Sequence, residues 1–293
     1  MAHDSSVNMN GKQNQHTESK ESLLVKNLHI SSFEEGAYHY THLVDSKLTF
    51  VDSLITFYDH TIHFGDENIH VTYTYLLAQL ISGAQGACFI HLEDLNVSDL
   101  DGIVGKQVLD VLPFVPDYIK VVLLDAFYYH INMIEGIKPS KEYKFRGTAS
   151  QKSFARANKL IKLLGVTKGC KLAIIGLVAN IARIALEKGA EVRIADLAEA
   201  GTKVLNLAVE YDAIPLVEWA DIAIITGNTL KTNTLDQLLS IAAKHSTKVL
   251  IYAMTGHNIA PRYLNYGAEI VVTEIFPYYS YANTTTIMRE YHM

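Results

Sequence analysis

Residues 171–180 read Lys-Leu-Ala-Ile-Ile-Gly-Leu-Val-Ala-Asn, and residues 191–196 read Glu-Val-Arg-Ile-Ala-Asp. A buried-strand pattern ends at Gly176, helix-forming residues follow, and a second β-rich run ends in Asp196, twenty residues after that glycine. This is the spacing of a βαβ unit whose first turn contacts a nucleoside and whose acidic residue binds ribose hydroxyls. The pattern predicts a Rossmann-like parallel sheet, with Gly176, Asp196 and the adjacent Leu197 as cofactor-binding residues.

The first turn departs from the dinucleotide-binding pattern. The motif Gly-x-Gly-x-x-Gly lets the backbone approach a pyrophosphate, whereas Leu177, Val178 and Ala179 place side chains in this turn. The segment therefore supports the fold more strongly than it supports a dinucleotide.

Length and composition bound the class of protein. The chain has 293 residues, enough for two domains, and 49% of them are apolar, with no run long enough to cross a bilayer. Residues 1–24 are polar and are predicted to form a disordered tail.

The net charge of −6, without a block of Lys or Arg, argues against nucleic acid and anionic membranes as partners. Two distant cysteines, Cys88 and Cys170, lie in apolar runs and favour reduced thiols in a cytoplasmic protein.

The pattern along the chain predicts a small α+β domain over residues 25–140 and the Rossmann-like domain over residues 141–293. Residues 22–95 are β-like, residues 101–112 and 118–132 have helical spacing, and residues 135–150 are predicted to be the connection. Strands are predicted at 171–175, 191–195, 221–226, 248–253 and 269–273, and helices near 152–164, 179–188, 200–211, 234–244 and 260–266.

Small polar residues follow a second buried strand of the predicted sheet. The segment Thr226-Gly227-Asn228-Thr229 ends the strand that begins near residue 221. Ligands of open α/β sheets bind beyond the carboxyl ends of the strands, so these four residues are predicted to contact the ligand. The alternative is that Thr and Asn only cap the following turn and helix.

Candidate catalytic residues lie in aromatic runs and after the next strand. His257 follows that strand and is a candidate acid or base, or a loop residue without a catalytic role. The runs 127–130 and 276–281 are rich in Tyr, whose rings attract desolvated cations such as a sulfonium, or else pack at an interface. The tyrosines taken as catalytic candidates are Tyr128, Tyr129, Tyr278 and Tyr279.

Histidines are concentrated in the N-terminal half of the chain. Ten of the thirteen lie at or before His130. The candidate metal ligands are His39, His42, His60, His63 and His70. Residues three apart on a strand face opposite sides, so solvated or core histidines remain the alternative.

The two halves together resemble a two-domain family described as "putative heavy-metal chelation" proteins. Their Rossmann-like C-terminal domain follows a domain similar to the N-terminal domain of enolase. The matching segments are residues 101–112, 129–132, 174–176 and, most specifically, 221–236. The resemblance implies this architecture and a site between the domains. The Tyr-Tyr-His-Ile-Asn sequence at 128–132 is bulkier than the small-residue pattern of the family.

Three functions remain open from the sequence. The favoured one is a small-molecule enzyme that binds an adenosyl cofactor, S-adenosylmethionine, in a cleft between the domains and performs alkyl transfer or related sulfonium chemistry. A protein that binds a metal or metal chelate, and an NAD-dependent enzyme, are the alternatives. The partner expected is a small-molecule substrate. Substrate, reaction and oligomeric state, including a homo-oligomer, stay open.

Overall fold

The computed structural model describes residues 30–57, 60–64, 67–71, 74–275 and 285–293. The tail predicted over residues 1–24 lies outside this described part. The N-terminal portion contains helices α1 (Ile30–His39), α2 (Val108–Val111) and α3 (Asp117–Glu135) and strands β1 (Val51–Phe57), β2 (His60–Phe64), β3 (Glu67–Val71), β4 (Thr74–Leu80) and β5 (Gln85–Ile90). Strands β1, β4 and β5 form an antiparallel sheet in that order, and β2 pairs with β3 as a separate hairpin.

The long helix α3 is the packing element between the two portions. Asp117 lies in its first turn, where a carboxylate stabilises the helix dipole, and Gly136 ends it in the left-handed conformation at φ 68°. Its buried residues occupy several sides of the helix, as expected for a helix enclosed by protein. It packs on β4 and β5 and also contacts the second portion of the chain.

The second portion is a nine-stranded sheet flanked by helices. Its strands are β6 (Lys141–Arg146), β7 (Lys171–Ile175), β8 (Glu191–Ala195), β9 (Lys203–Val204), β10 (Leu207–Glu210), β11 (Ile222–Thr226), β12 (Lys248–Ala253), β13 (Ile270–Glu274) and β14 (Thr285–Tyr291). The spatial order is β6-β14-β13-β12-β11-β7-β8-β10-β9. Strands β13, β12, β11, β7, β8 and β10 run parallel, which is the Rossmann-like α/β sheet predicted from the sequence.

Helices cover this sheet and connect its strands. They are α4 (Ala149–Leu164), α5 (Ala179–Glu187), α6 (Ile214–Trp219), α7 (Asn228–Lys231) and α8 (Leu235–His245). Apolar residues of α4 and α5 pack on one face of the sheet, and those of α6 and α8 pack on the other. Because α4 precedes β7 and packs antiparallel to it, its first turns lie near the carboxyl ends of the parallel strands.

Three predictions from the sequence were wrong in detail. The helix predicted over 200–211 is the pair of strands β9 and β10, which meet at Leu205 and Asn206 with φ of 54° and 64°. The alternation of Val204, Leu207 and Val209 suits a strand, and the left-handed residues make a tight turn. The helix predicted over 101–112 is limited to α2, and the N-terminal region, interpreted as β-like, also contains α1.

The predicted connection over residues 135–150 contains a strand. Strand β6 pairs antiparallel with β14 at the edge of the large sheet, so the chain enters the second portion through the sheet. Its burial alternates only weakly, which explains why the charged segment Lys-Glu-Tyr-Lys-Phe-Arg resembled a linker.

Candidate functional site at the carboxyl edge of the sheet

Five neighbouring parallel strands, β8, β7, β11, β12 and β13, end at the same edge of the sheet. Near its end, each strand buries one side chain on the face of the sheet that α4 and α5 cover: Ile194, Ile174, Ile224, Leu250 and Val272. Side chains of a strand alternate with a period of two, so the residue two positions later faces the same side. These residues, in spatial order, are Asp196, Gly176, Thr226, Tyr252 and Glu274, which we name the polar row. The five strands span about 19 Å across, and Glu274 lies two residues further along β13 than Val272, the register partner of Tyr252.

Gly176 begins the turn between β7 and α5, and no larger residue fits there. Its φ is 89°, and a Cβ built on it would lie 2.0 Å from Thr226 Oγ1. Its N–H donates to the Ala195 carbonyl at 2.8 Å, which holds the turn against β8. The glycine therefore serves both the left-handed backbone and the close approach of the neighbouring strand.

Asp196 organises the two loops at its end of the row. Its Oδ2 accepts the Leu177 N–H at 2.8 Å, and its Oδ1 accepts the N–H groups of Ala198 at 2.9 Å and Glu199 at 3.2 Å. A carboxylate has about four acceptor positions, so Oδ2 keeps capacity for one further donor. Leu197, the other residue predicted at this end, is half exposed.

Two buried oxygen atoms beside Gly176 have no hydrogen-bond partner in the described part of the chain: Thr226 Oγ1 and Asn180 Oδ1. Asn180 lies in the first turn of α5, and its Nδ2 donates to Ser153 Oγ on α4 at 2.9 Å. Buried polar atoms are usually paired, so unpaired acceptors at a strand end identify a place where a ligand with donor groups gains hydrogen bonds.

The segment after β11 is held by a local cap, which is the alternative predicted for it, and by contacts with the loop after β12. Thr229 Oγ1 donates to the Thr226 carbonyl at 2.8 Å, a local cap. A Cβ at Gly227 would meet the Thr255 carbonyl at 2.2 Å. Asn228, which is partly exposed, accepts at Oδ1 from Thr255 Oγ1 at 3.0 Å. Asn228 therefore lies at the junction with the next strand-end loop.

The other end of the row is a buried charged cluster that the sequence analysis missed. Glu274 Oε1 lies 3.2 Å from Arg156 Nε, and its Oε2 accepts the Tyr252 hydroxyl at 3.1 Å. Burial is the largest effect on this carboxyl and raises the pKa of Glu274 to about 7. Burial, with Arg156 nearby, lowers the pKa of Lys152. The signal in the sequence was Lys152 and Arg156 four residues apart on α4, among apolar neighbours.

His257 lies in a polar junction between the two portions. Its Nδ1 is 2.9 Å from Asp125 Oδ2, and both side chains are buried. The Asp125 carboxylate also accepts the N–H groups of Ala87 at 3.0 Å, Asn258 at 2.7 Å and Ile259 at 3.3 Å. These bonds join α3 and β5 to the loop after β12. The geometry gives His257 a part in this junction, and its candidacy as an acid or base remains a prediction.

The candidate tyrosines do not form one group in the described part. Tyr128 is buried and its hydroxyl donates to the Phe33 carbonyl of α1 at 3.0 Å. Burial raises the pKa of Tyr128 to about 12. Tyr129 is partly exposed on α3. Tyr278 and Tyr279, the other two candidates, lie outside the described residues.

The candidate metal ligands fall in two places. His39 ends α1 and His42 lies in the short 3₁₀ helix Tyr40–His42. The centroids of their two imidazole rings are 6.2 Å apart. His60 and His63 lie on β2 and His70 lies on β3, where His70 pairs with Thr61. No group of three or more His, Cys, Asp or Glu residues suited to a metal ion occurs among the described residues.

Comparisons with known proteins support the architecture. Residues 159–275 match the family model described as "putative heavy-metal chelation". The crystal structure of a protein of unknown function from the DUF364 family of Desulfitobacterium hafniense covers 88% of this chain and 99% of its own, with a TM-score of 0.57 and 11% identity. A DUF364 protein from Pyrococcus horikoshii covers 84% of this chain and 86% of its own, with a TM-score of 0.51 and 17% identity. No curated protein matches the chain.

These findings confirm the family resemblance and the fold class predicted from the sequence. At these identities the solved structures show a shared fold alone. Within the part of the chain that is described, no helix is both long enough and apolar enough to span a membrane.

Proposed function

We propose that this protein is a small-molecule enzyme that binds an adenosyl compound at the Gly176–Asp196 end of the polar row, with S-adenosylmethionine as its cofactor. The observation that carries the proposal is the pair of buried, unpartnered oxygens, Thr226 Oγ1 and Asn180 Oδ1, beside the turn at Gly176. Adenine and ribose carry N–H and O–H donors that such acceptors bind.

Asp196 supports a ribose at the same end of the row. Its Oδ2 accepts one N–H from Leu177 and retains an acceptor position for a ribose hydroxyl. Hydrogen bonds to a charged group contribute about 1.5–3 kcal/mol. An adenosyl compound without a pyrophosphate also suits a first turn in which Leu177 and Val178 replace the glycines of a dinucleotide site.

When bound, S-adenosylmethionine would supply an electrophilic carbon on its sulfonium, and transfer of that alkyl group to a nucleophile of the substrate would break the C–S bond and release S-adenosylhomocysteine. The protein's contribution in this proposal would be to bind the adenosyl group through Asp196, Thr226 and Asn180. The substrate is a small molecule, and neither nucleic acid nor membrane takes part.

A calorimetric series with S-adenosylmethionine, S-adenosylhomocysteine, NAD and divalent metal ions tests the proposal. We expect the two adenosyl compounds to bind the wild-type protein, and Asp196→Asn to weaken both by about tenfold, since one charged acceptor is lost. Glu142→Gln, in an ion pair between Glu142 of the edge strand β6 and Arg289 of the neighbouring β14, is the matched control and should bind like the wild type. Binding of NAD alone would refute the adenosyl proposal.

A metal or metal-chelate binding function is the second candidate. Two observations favour it: the family model that matches residues 159–275, and the position of β2, which lies against α4 with two of the candidate histidines. Metal analysis of protein purified without a histidine tag tests it. We expect stoichiometric metal to disappear when His39, His42, His60, His63 and His70 are replaced by Ala. Metal retained by that variant would exclude these ligands, and wild-type protein without metal would argue against the function.

A further inference from the structure

A chain of hydrogen bonds runs from the N-terminal sheet to Asn228. The backbone N–H of Phe89 on β5 donates to Thr255 Oγ1 at 2.9 Å. The Thr255 hydroxyl in turn donates to Asn228 Oδ1 at 3.0 Å. Thr255 is 1% exposed, so the hydrogen bonds at its hydroxyl are shielded from solvent.

The direction of these two hydrogen bonds fixes the orientation of the Asn228 amide. A backbone N–H can only donate, so Thr255 Oγ1 accepts from Phe89. The buried hydroxyl proton needs an acceptor, and Asn228 Oδ1 is the acceptor recorded for it among the described residues. The two ends of an asparagine amide are assigned from their hydrogen-bond partners, and here the partners place the oxygen towards Thr255.

We infer that Asn228 determines ligand specificity by presenting its Nδ2–H₂ group as a hydrogen-bond donor to an acceptor atom of the ligand. This inference rests on the proposed function and assigns a role to one residue of that site. The acceptor is a ring nitrogen of the adenine or a carboxylate oxygen of the amino-acid end. Asn228 is the first residue of α7, directly after the strand end at Thr226 and Gly227, and it is partly exposed.

The assignment also explains why the two domains meet at this loop. Gly256, next to Thr255, donates its N–H to the Ala87 carbonyl at 3.0 Å, so β5 holds the loop at both Ala87 and Phe89. The N-terminal domain thereby sets which end of the Asn228 amide is available for binding. Thr255 and Phe89 are positioning residues in this arrangement.

Binding of S-adenosylhomocysteine to Asn228→Asp, measured by calorimetry, tests the inference. Asp retains an oxygen that accepts the Thr255 hydroxyl but has no N–H₂ group, and the neutral thioether of this probe avoids attraction between the new charge and a sulfonium. We expect affinity to fall about tenfold or more while the thermal unfolding midpoint changes little. Unchanged affinity would overturn the inference.

Thr255→Val and Thr247→Val form a matched pair at the two ends of β12. Thr255→Val removes the bond that orients Asn228 and should weaken binding several-fold. Thr247 is also buried, and its hydroxyl lies 2.8 Å and 3.0 Å from the Val217 and Ala220 carbonyls. Thr247→Val should lower stability and leave affinity unchanged. Equal losses of affinity in both variants would assign the effect to general destabilisation and overturn the positioning role.

Adenosine as a second probe distinguishes the two acceptors. If Asn228→Asp weakens adenosine and S-adenosylhomocysteine alike, the acceptor lies on the nucleoside; if it weakens only the latter, the acceptor is the carboxylate. If the wild-type protein binds no adenosyl compound, the proposed function fails. The orientation of Asn228 is then decided by an atomic-resolution crystal structure, in which the C–O bond is shorter than the C–N bond. Nitrogen facing Thr255 would overturn the inference, and oxygen there would support the assigned orientation of the amide.

Discussion

Two buried carboxylates in this molecule have opposite surroundings. Asp125, at the junction of the two domains, accepts three backbone N–H groups and lies against His257. Glu274, at the end of β13, has side-chain partners, the Tyr252 hydroxyl and Arg156, and burial raises its pKa to about 7. Backbone donors compensate a buried negative charge at the first position, whereas lost hydration dominates at the second. The first carboxylate is placed to hold structure, and the second is placed to exchange a proton near neutral pH.

The largest effect is expected at Asp125. Asp125→Asn removes the charge that several donors share and should lower the free energy of unfolding by about 3 kcal/mol, because the remaining buried groups lose their partner. Denaturant titration measures it. The control is Asp94→Asn, which breaks an ion pair of 3.5 Å between the exposed Asp94 and Lys231 of the other domain and should cost less than about 1 kcal/mol. Equal costs for the two variants would contradict the role of Asp125.

Glu274 should make stability depend on pH in the opposite sense from an ordinary paired carboxylate. Since its pKa is raised in the folded protein, the native state retains a proton that the unfolded chain releases, and stability falls as pH rises from about 4.5 to about 7. The loss is at most about 3 kcal/mol. In denaturant titrations at pH 5 and pH 8, Glu274→Gln should therefore gain stability relative to the wild type as pH rises. A relative stability independent of pH would show that Glu274 is ionised throughout.

The smallest effect is expected at Thr226. Its hydroxyl oxygen is buried without a described partner, so the nearly isosteric Thr226→Val should leave stability unchanged or raise it by up to about 1 kcal/mol. Thr247→Val, which removes a buried hydroxyl that is bonded, should lower stability by about 1 kcal/mol. Thermal unfolding of the pair measures the contrast. A loss at Thr226 as large as that at Thr247 would mean that the Thr226 hydroxyl is satisfied in the folded protein.

The sequence predicted those parts of the molecule that depend on local pattern. Apolar runs predicted the bounds of β7 and β12 to the residue, because strands buried on both faces leave little ambiguity. The bounds of β8 were also predicted to the residue, although Glu191 and Arg193 interrupt its apolar pattern. The hairpin of β9 and β10 was missed because its turn depends on Leu205 and Asn206 adopting positive φ, which neither residue type requires.

From the sequence alone, candidate site residues could be predicted only within each strand end. The positions of Gly176, Asp196 and Thr226 follow from strand spacing, and their common face follows from the period of two. The pairing of Arg156 with Glu274 joins residues 118 positions apart, and the Asp125 junction joins residues more than 130 positions apart. Such pairs depend on how helices pack on the sheet, and a single sequence contains no direct signal for them.

Nuclear magnetic resonance mapping of the adenosyl site tests the central claim most directly. Backbone ¹⁵N–¹H resonances of the full chain are recorded with and without S-adenosylhomocysteine. The account predicts saturable shifts concentrated at Leu177, Ala198 and the segment from Thr226 to Thr229, with smaller changes at Gly256. Saturable shifts confined to other surfaces, or no shifts at millimolar ligand, would contradict a nucleoside site at the carboxyl edge of this sheet.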